Sequence, residues 1–303
     1  MKVIYHHNDM DGRAAASLIY NVLNDENEKF IIKELDYVKP IDTSIAKDQN
    51  VYILDYSFTE NTKDQLIDIF NKAKSVVWID HHISSKYFMK KHSKDKIFNR
   101  KINKKKIDII IIDTTRCGAM ITYDYLIENT GKKLDSTYHP RSLELIDDFD
   151  RWANKYKDSM YFKLGMDCQS KNPTSKIWYE IIMSKITDNL IKEGKIIYKY
   201  LKSNNLDEFN QVSYYLDHIP NDMDSNVKRI LVINTNYNNN SLAFGNKLTK
   251  NVLGVIWTFD GKYYRYSIYS SPDSMIDCNA IALKYGGGGH NHASGFSSEE
   301  RIF

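Results

Sequence analysis

The sequence predicts an α/β protein with a mainly parallel sheet flanked by helices, joined by a helical connector to a smaller α+β domain. In the first half, short apolar runs alternate with stretches of helical periodicity, which is typical of βαβ units. Towards the end, the pattern changes to longer extended runs followed by a short helix-like stretch and a glycine run. With 303 residues, two domains are expected.

The parallel sheet is predicted from apolar runs that are too short for helices and are separated by helical segments. The expected strands are "KVIY", "FIIKEL", "VYILDY", "SVVWID" and "IDIIIID", and helical patterns follow over residues 14–23, 63–72 and 119–127. Continuous apolar runs are expected where a strand is buried on both faces. These runs therefore predict a central sheet covered by helices on both sides.

The connector is predicted from apolar residues that recur about once per helical turn across residues 176–201, which indicates a long amphipathic helix. Beyond it, "RILVINTN", "VLGVIWTF" and "KYYRYSIYS" favour strands, and "MIDCNAIALKY" favours a short helix. We therefore predict a first domain over residues 1–185, a connector over 186–224 and a second domain over 225–303.

Composition excludes several classes of protein. The formal net charge of +3 is too small to indicate a polyanionic partner by itself. Three cysteines without CxxC spacing favour neither a disulfide framework nor a thiolate zinc site. The first residues lack a signal-peptide pattern, and no apolar run is long enough to cross a membrane. We expect a cytoplasmic protein with no membrane association.

A dense group of polar side chains follows the predicted strands. The stretch "HHNDMDG" comes directly after "KVIY", Asp55 follows "VYIL", and Asp80 and His81 follow "VVWI". Because one edge of a parallel sheet collects the carboxyl ends of its strands, we expect these residues to converge. Asp9 and Asp11, two positions apart, would project from the same side of extended backbone.

Aspartate oxygens and imidazole nitrogens are donors that suit Mn²⁺ or Mg²⁺, and the several histidines favour manganese. Two such ions about 3.5–4 Å apart activate water and stabilise a phosphoryl displacement when a carboxylate bridges them. We therefore predict two Mn²⁺ ions per site, with Mg²⁺ as an alternative.

Five motifs occur in an order that resembles a known family. "HNDMDG", "ILDYS", "VVWIDHH", "LIDDFDRW" and "GGGGHNHASG" are similar to the motifs of the DHH phosphoesterases that carry the DHH-associated C-terminal domain. The nano-RNase (oligoribonuclease) branch is closest in appearance, and the resemblance spans nearly the whole chain. It implies that the first predicted domain is catalytic and that the last one binds substrate.

The resemblance also implies roles for individual residues. His7, Asp9 and Asp11 resemble metal ligands, Asp55 resembles the carboxylate that bridges the ions, and His81 resembles a ligand of the second ion. His82 would face the substrate phosphate, and Asp80 would orient its neighbours. The fourth motif leaves two alternatives: alignment favours Asp148 as its metal ligand, with Asp150 close behind. The role of His6 is left open.

In the second domain, the resemblance implies a substrate-binding glycine loop. Gly287, Gly288 and Gly289 would let backbone N–H groups approach a phosphate, and His290 resembles the family histidine that contacts it. The sequence departs from the family at Tyr269, where an arginine is often found. Either Arg265 compensates for this change, or Tyr269 stacks on a base. The role of His292 is left open.

The implied function is a two-metal phosphodiesterase that hydrolyses short single-stranded RNA or dinucleotides to nucleoside 5'-monophosphates. Alternatives are hydrolysis of cyclic (di)nucleotides or 3'-phosphoadenosine phosphate, a single-strand DNA exonuclease, and an inactive nucleotide-binding module. The lysine-rich residues 86–106 are either a nucleic-acid contact or a solvated surface. We expect no obligatory protein partner, and a homodimer is left open.

Overall fold

The computed structural model describes residues 1–24, 28–37, 39–102, 105–106, 108–130, 134, 139–153, 155–220, 223–234 and 241–303. Residues 103 and 104 of the basic segment lie outside this range, as do residues 221 and 222 of the predicted connector. The chain divides into two compact units, Met1–Tyr198 and Lys199–Phe303. The predicted fold class is confirmed, whereas the predicted domain boundaries at residues 185 and 224 stay predictions.

The first unit contains a five-stranded parallel sheet. The strands of this unit are β1 (Lys2–His7), β2 (Phe30–Leu35), β3 (Asn50–Leu54), β4 (Ser75–Asp80), β5 (Lys101–Ile102), β6 (Lys105–Lys106) and β7 (Ile109–Ile112). The sheet order is β2-β1-β3-β4-β7, and β5 and β6 form a separate antiparallel pair. The chain moves to β2 on one side of β1 and then to β3 on its other side. The β1/β3 boundary is therefore the topological switch point where open α/β sheets bind ligands.

Helices cover both faces of this sheet. The helices of this unit are α1 (Met10–Leu23), α2 (Lys63–Lys72), α3 (Ile83–His92), α4 (Gly118–Thr130), α5 (Arg141–Asp150), α6 (Asp158–Asp167) and α7 (Lys176–Ile182). The unit also contains the first part of α8 (Thr187–Val212), which continues into the second unit. Alternate strand residues supply two separate cores, since Ile4 packs in a cluster with residues of α1, α4 and α5, while Val3 packs in one with residues of α2 and α3. Burial on both faces explains why the centres of these strands are near-continuous apolar runs.

The predicted single helix over residues 176–201 is wrong in one respect, because it is divided between α7 and α8. Ser184 lies between them with a φ of 56°, in the left-handed region that ends helices. Its hydroxyl accepts a hydrogen bond from the Ser142 backbone N–H at 3.2 Å, which ties this turn to α5. Among the described residues, no helix combines the length and the apolar composition needed to cross a membrane.

The second unit is built on a six-stranded mixed sheet of order β12-β13-β11-β10-β9-β8. Its elements are β8 (Ser213–Tyr215), β9 (Arg229–Asn234), β10 (Val252–Phe259), β11 (Tyr264–Tyr269), α9 (Cys278–Lys284), β12 (Gly288–His290) and β13 (Ala293–Ser298). β9 and β10 are parallel, and the other pairs are antiparallel. Residues of α9 join the buried cluster on the sheet, which gives the predicted α+β arrangement.

Candidate metal centre

The predicted polar residues converge at the carboxyl ends of β1, β3 and β4. Among the described residues of the first unit, three groups of side chains each place one donor atom within 4.8 Å of the others: His7, Asp9 and Asp55; Asp11, Asp55 and His81; Asp55, Asp80 and His82. Asp55 is common to all three groups. The arrangement therefore has a carboxylate at its centre and nitrogen and oxygen donors around it.

Asp55 is fully buried at the end of β3. Its Oδ1 lies 3.0 Å from His81 Nε2, and its Oδ2 lies 3.8 Å from His7 Nδ1. Neither oxygen has a well-formed hydrogen bond to any residue that the structure describes. Its φ of 54° places it in the left-handed region, which aspartate tolerates better than most residues. Two buried oxygens without such bonds are costly unless a cation binds them.

The first of the five motifs, "HNDMDG", includes the residue that caps α1 and the first residues of that helix. Asp9 caps α1 by accepting a hydrogen bond from Gly12 N–H at 2.8 Å, and His7 Nδ1 lies 2.6 Å from its other oxygen. Asp11 lies in the first turn and accepts hydrogen bonds from the backbone N–H groups of Gly118 at 2.6 Å and Ala119 at 2.8 Å. The expectation that Asp9 and Asp11 project together from extended backbone is therefore wrong. Helix α1 begins one residue after Asp9.

Asp148 and Asp150, the two candidate ligands in the fourth motif "LIDDFDRW", have different surroundings. Asp150 Oδ2 lies 3.2 Å from His81 Nε2, which places it beside the donors around Asp55. Asp148 is buried and accepts backbone hydrogen bonds from Lys155 at 2.6 Å and Tyr156 at 3.2 Å, so it secures the turn after α5. Asp150 therefore lies beside the donors around Asp55, whereas the oxygens of Asp148 bind backbone N–H groups; which of the two is the fourth-motif ligand stays a prediction.

Asp80 holds His82 in a fixed orientation. His82 Nδ1 donates a hydrogen bond to Asp80 Oδ1 at 2.7 Å. Burial opposes the ionisation of Asp80, but the attraction of His82 outweighs it and lowers the pKa of Asp80 to about 2. Burial alone would lower the pKa of His82, yet Asp80 raises it above its usual value. Asp80 also has a side-chain hydrogen bond to Ser85, whose hydroxyl oxygen lies 3.1 Å from that of Ser57.

Electrostatics around Asp55 favour a bound cation. Burial and the nearby Asp9 raise the pKa of Asp11 to about 6 and raise that of Asp55 well above its usual range. Burial and the nearby Asp11 do the same to Asp150. Burial and the neighbouring His82 lower the pKa of His81 to about 3, so its imidazole is neutral near pH 7. Crowded carboxylates with a neutral imidazole fit a divalent cation with nitrogen and oxygen ligands.

His6 contributes to the backbone around the centre rather than to the donor groups. It is buried, and its Nδ1 donates a hydrogen bond to the His7 carbonyl oxygen at 2.8 Å. Burial also lowers the pKa of His6, which keeps the ring neutral in this interior position. The contact stabilises the chain at His7, where β1 ends.

Gly118 is a part of the centre that the sequence interpretation missed. A Cβ at this position would lie 2.9 Å from Asp55 Cβ and 3.0 Å from Asp11 Oδ2. Glycine therefore allows the start of α4 to approach both carboxylates. The signal was a glycine directly before a predicted helix, in "TTRCGAM".

We expect Gly118→Ala to displace Asp11 or Asp55 and to lower metal affinity by about 10-fold or more. Overpacking is also expected to destabilise the protein by about 1–3 kcal/mol. Calorimetric titration with Mn²⁺ and thermal unfolding in chelator measure the two effects. Wild-type affinity in the variant would show that close approach of α4 is not needed.

In the second unit, two predicted substrate residues have structural partners. Arg265 pairs with Asp260 through Nε and Nη2, each 2.9 Å from Oδ2. Tyr269 is 7% exposed, its ring lies 6.0 Å from that of Phe244, and burial raises its pKa. The structure thus buries Tyr269, which argues against base stacking by this ring.

The glycine run is also explained in part by packing. A Cβ on Gly287 would lie 2.0 Å from the Gly295 carbonyl oxygen, and Gly289 has a φ of 144°. Gly288 and His290 belong to β12, which pairs with β13. His292 Nδ1 lies 2.9 Å from the Ser270 hydroxyl, which gives His292 a structural contact. A phosphate-binding role for Gly287, Gly288, Gly289 and His290 stays a prediction.

With this geometry established, comparisons with known proteins bear on the family. Residues 2–146 match the sequence profile of the DHH family, N-terminal domain. This part of the chain, slightly less than half of its length, is therefore similar to that family's N-terminal domain. The matched residues include the ends of β1, β3 and β4, and the match ends before Asp148 and Asp150.

Other similarities are more distant. The uncharacterized protein R106 of Acanthamoeba polyphaga mimivirus is 24% identical over 257 residues, covering 83% of this chain and 53% of the relative. The chain therefore spans about half the length of the curated relative that it matches. Among solved structures, RecJ from Thermus thermophilus in complex with Mn²⁺ is 12% identical, covers 98% of this chain and 49% of RecJ, and has a TM-score of 0.49. The pGpG-specific phosphodiesterase PggH from Vibrio cholerae is 13% identical, covers 98% and 93%, and has a TM-score of 0.45.

Proposed function

We propose that the protein is a metal-dependent phosphodiesterase that hydrolyses short single-stranded RNA or dinucleotides to nucleoside 5'-monophosphates. The observation that carries the proposal is the position of Asp55, which belongs to three donor groups at once. A carboxylate shared in this way suits a pair of divalent cations, and paired cations serve phosphoryl displacement. The match of residues 2–146 to the DHH family, N-terminal domain, supports the same class of reaction.

The donor groups indicate which residues would hold the cations. His7 and Asp9 lie on one side of Asp55, and Asp11, His81 and Asp150 lie on the other. We propose two Mn²⁺ ions, because the mixed oxygen and imidazole donors suit manganese, and Mg²⁺ is the alternative. Bound divalent cations would activate water and neutralise charge that develops on the phosphoryl oxygens.

His82 is proposed to orient the substrate. Since Asp80 accepts a hydrogen bond from His82 Nδ1 at 2.7 Å, the ring is fixed and its opposite nitrogen is the one that would contact a phosphate oxygen. Asp80 in turn is buried beside Ser85, which limits its movement. This pair would hold the phosphate in one orientation during displacement.

The preference for short RNA is supported by the motifs that resemble the nano-RNase branch, including the "GGGGH" run in the second unit. The test is a metal titration with 5'-labelled diadenylate, using Mn²⁺, Mg²⁺ and chelator. We expect release of 5'-AMP that depends on the metal. Asp167→Asn is a matched control, because Asp167 pairs with Lys163 on the surface of α6.

Cleavage in chelator, or no cleavage with any divalent metal, would overturn the proposal. A parallel panel of pGpG, 3'-phosphoadenosine 5'-phosphate and long single-stranded DNA at one salt concentration tests the substrate class. If kcat/KM is higher for any of these compounds than for diadenylate, that compound replaces short RNA as the proposed substrate.

A further inference from the structure

An exposed aromatic ring lies beside the candidate metal centre. Tyr37 follows β2, and its ring stacks on that of Tyr56 with centroids 4.8 Å apart and planes inclined by 18°. Tyr56 is 2% exposed, whereas Tyr37 is 41% exposed. The stack therefore has one member in the core and one member at the surface.

The Tyr37 ring is held in place from several directions. Its hydroxyl oxygen accepts a hydrogen bond from Ser57 N–H at 3.2 Å. Beneath it, Tyr56 packs edge-on against Phe58 at 5.2 Å, and Phe58 packs edge-on against the buried Trp78 at 5.4 Å. An aromatic side chain supported in this way loses little conformational entropy when a planar group binds to it.

The position of Tyr37 relates it to the chemistry. Its ring centroid lies 5.2 Å from that of His7, and His7 Nδ1 lies 2.6 Å from Asp9 and 3.8 Å from Asp55. A group on the exposed side of Tyr37 would therefore be one side chain away from the donors around Asp55. In a nucleotide, likewise, a single sugar separates the base from its phosphate.

We propose that Tyr37 is a stacking platform for a nucleobase adjacent to the scissile phosphate, and that it selects nucleotide diesters over inorganic phosphate chains. The inference rests on the proposed function and deepens it by naming what the substrate must carry. Aromatic side chains stack on every base and contribute to binding without sequence readout. Tyr37 thus replaces Tyr269, which is buried, as the base-stacking tyrosine.

The test compares two substrates and three variants. The substrates are diadenylate and the same molecule with one base replaced by an abasic sugar. Tyr37→Leu removes the ring, Tyr37→Phe keeps the ring but removes the hydroxyl, and Tyr179→Leu is the control because Tyr179 is 42% exposed on α7. The readout is the ratio of kcat/KM for the base-bearing substrate to that for the abasic one.

We expect Tyr37→Leu to reduce this ratio by about 10-fold, mainly through a higher KM for diadenylate, in line with the strength of base stacking. Tyr37→Phe and Tyr179→Leu should both keep the wild-type ratio. An unchanged ratio in Tyr37→Leu, including an equal loss on both substrates, would overturn the inference.

A second measurement separates this inference from the proposed function. Quenching of 2-aminopurine ribonucleoside monophosphate fluorescence reports stacking without any hydrolysis. We expect quenching by the wild type and by Tyr37→Phe, and about 10-fold weaker binding by Tyr37→Leu. If the wild type cleaves no diester but the three proteins show this quenching pattern, the proposed function is wrong and the proposed stacking by Tyr37 is supported. Absence of quenching by the wild type would overturn the platform even in an active enzyme.

Discussion

Asp55→Asn is expected to reduce metal-dependent hydrolysis by more than about 100-fold. Loss of a residue that only supports a metal ligand costs about 10–100-fold, and Asp55 belongs to all three donor groups. Asparagine has the same shape but binds divalent cations more weakly than a carboxylate does. The measurement is kcat/KM for diadenylate at saturating Mn²⁺, compared with the Asp167→Asn control.

The same variant should be at least as stable as the wild type in chelator. Asp55 is buried among Asp9, Asp11 and Asp150, and its pKa is raised by burial and by these charges, so a neutral side chain removes an unfavourable interaction. Asparagine also tolerates the φ of 54°, whereas alanine would add backbone strain of about 1 kcal/mol. Added Mn²⁺ should raise the melting temperature of the wild type only. A variant with reduced stability in chelator and intact stabilisation by Mn²⁺ would contradict this account.

Two variants in the fourth motif, Asp150→Asn and Asp148→Asn, are expected to differ strongly in their effects on hydrolysis and on stability. Asp150→Asn should lower hydrolysis by about 100-fold or more, because Asp150 Oδ2 lies 3.2 Å from His81 Nε2 beside Asp55. Asp148→Asn should mainly lower the free energy of unfolding, by about 1–3 kcal/mol, because Asp148 accepts two backbone hydrogen bonds. Steady-state kinetics and thermal unfolding of both variants measure the contrast.

The kinetics are measured at a temperature where both variants are fully folded, as shown by circular dichroism. If Asp148→Asn then loses more activity than Asp150→Asn, the assignment of the fourth-motif ligand is reversed. Equal activity in Asp150→Asn and the wild type would remove this residue from the centre.

The sheet was predictable because its strands are short apolar runs with Asp55 and Asp80 directly at or after their ends. Burial on both faces produces that pattern without reference to distant parts of the chain. The division between α7 and α8 was not predictable from periodicity. It depends on the left-handed conformation of Ser184, which a contact with Ser142 stabilises.

The convergence of Asp9, Asp55 and His81 was predictable from the geometry of parallel sheets. Three features were not. The capping role of Asp9 depends on where α1 begins, the need for Gly118 depends on a contact across 107 residues, and Tyr37 follows β2 outside the five motifs. The different surroundings of Asp148 and Asp150 also depend on the turn after α5, although both lie in one short acidic segment.

The proposed function requires Asp55 to join two cation sites in one centre. Mn²⁺ binding measured by electron paramagnetic resonance tests it most directly, because free Mn²⁺ can be counted during a titration and paired ions give a coupled signal. We expect two Mn²⁺ per chain with a coupled signal in the wild type, and loss of the coupled signal in Asp55→Asn. A single uncoupled Mn²⁺ in the wild type, or an unchanged coupled signal in Asp55→Asn, would contradict it.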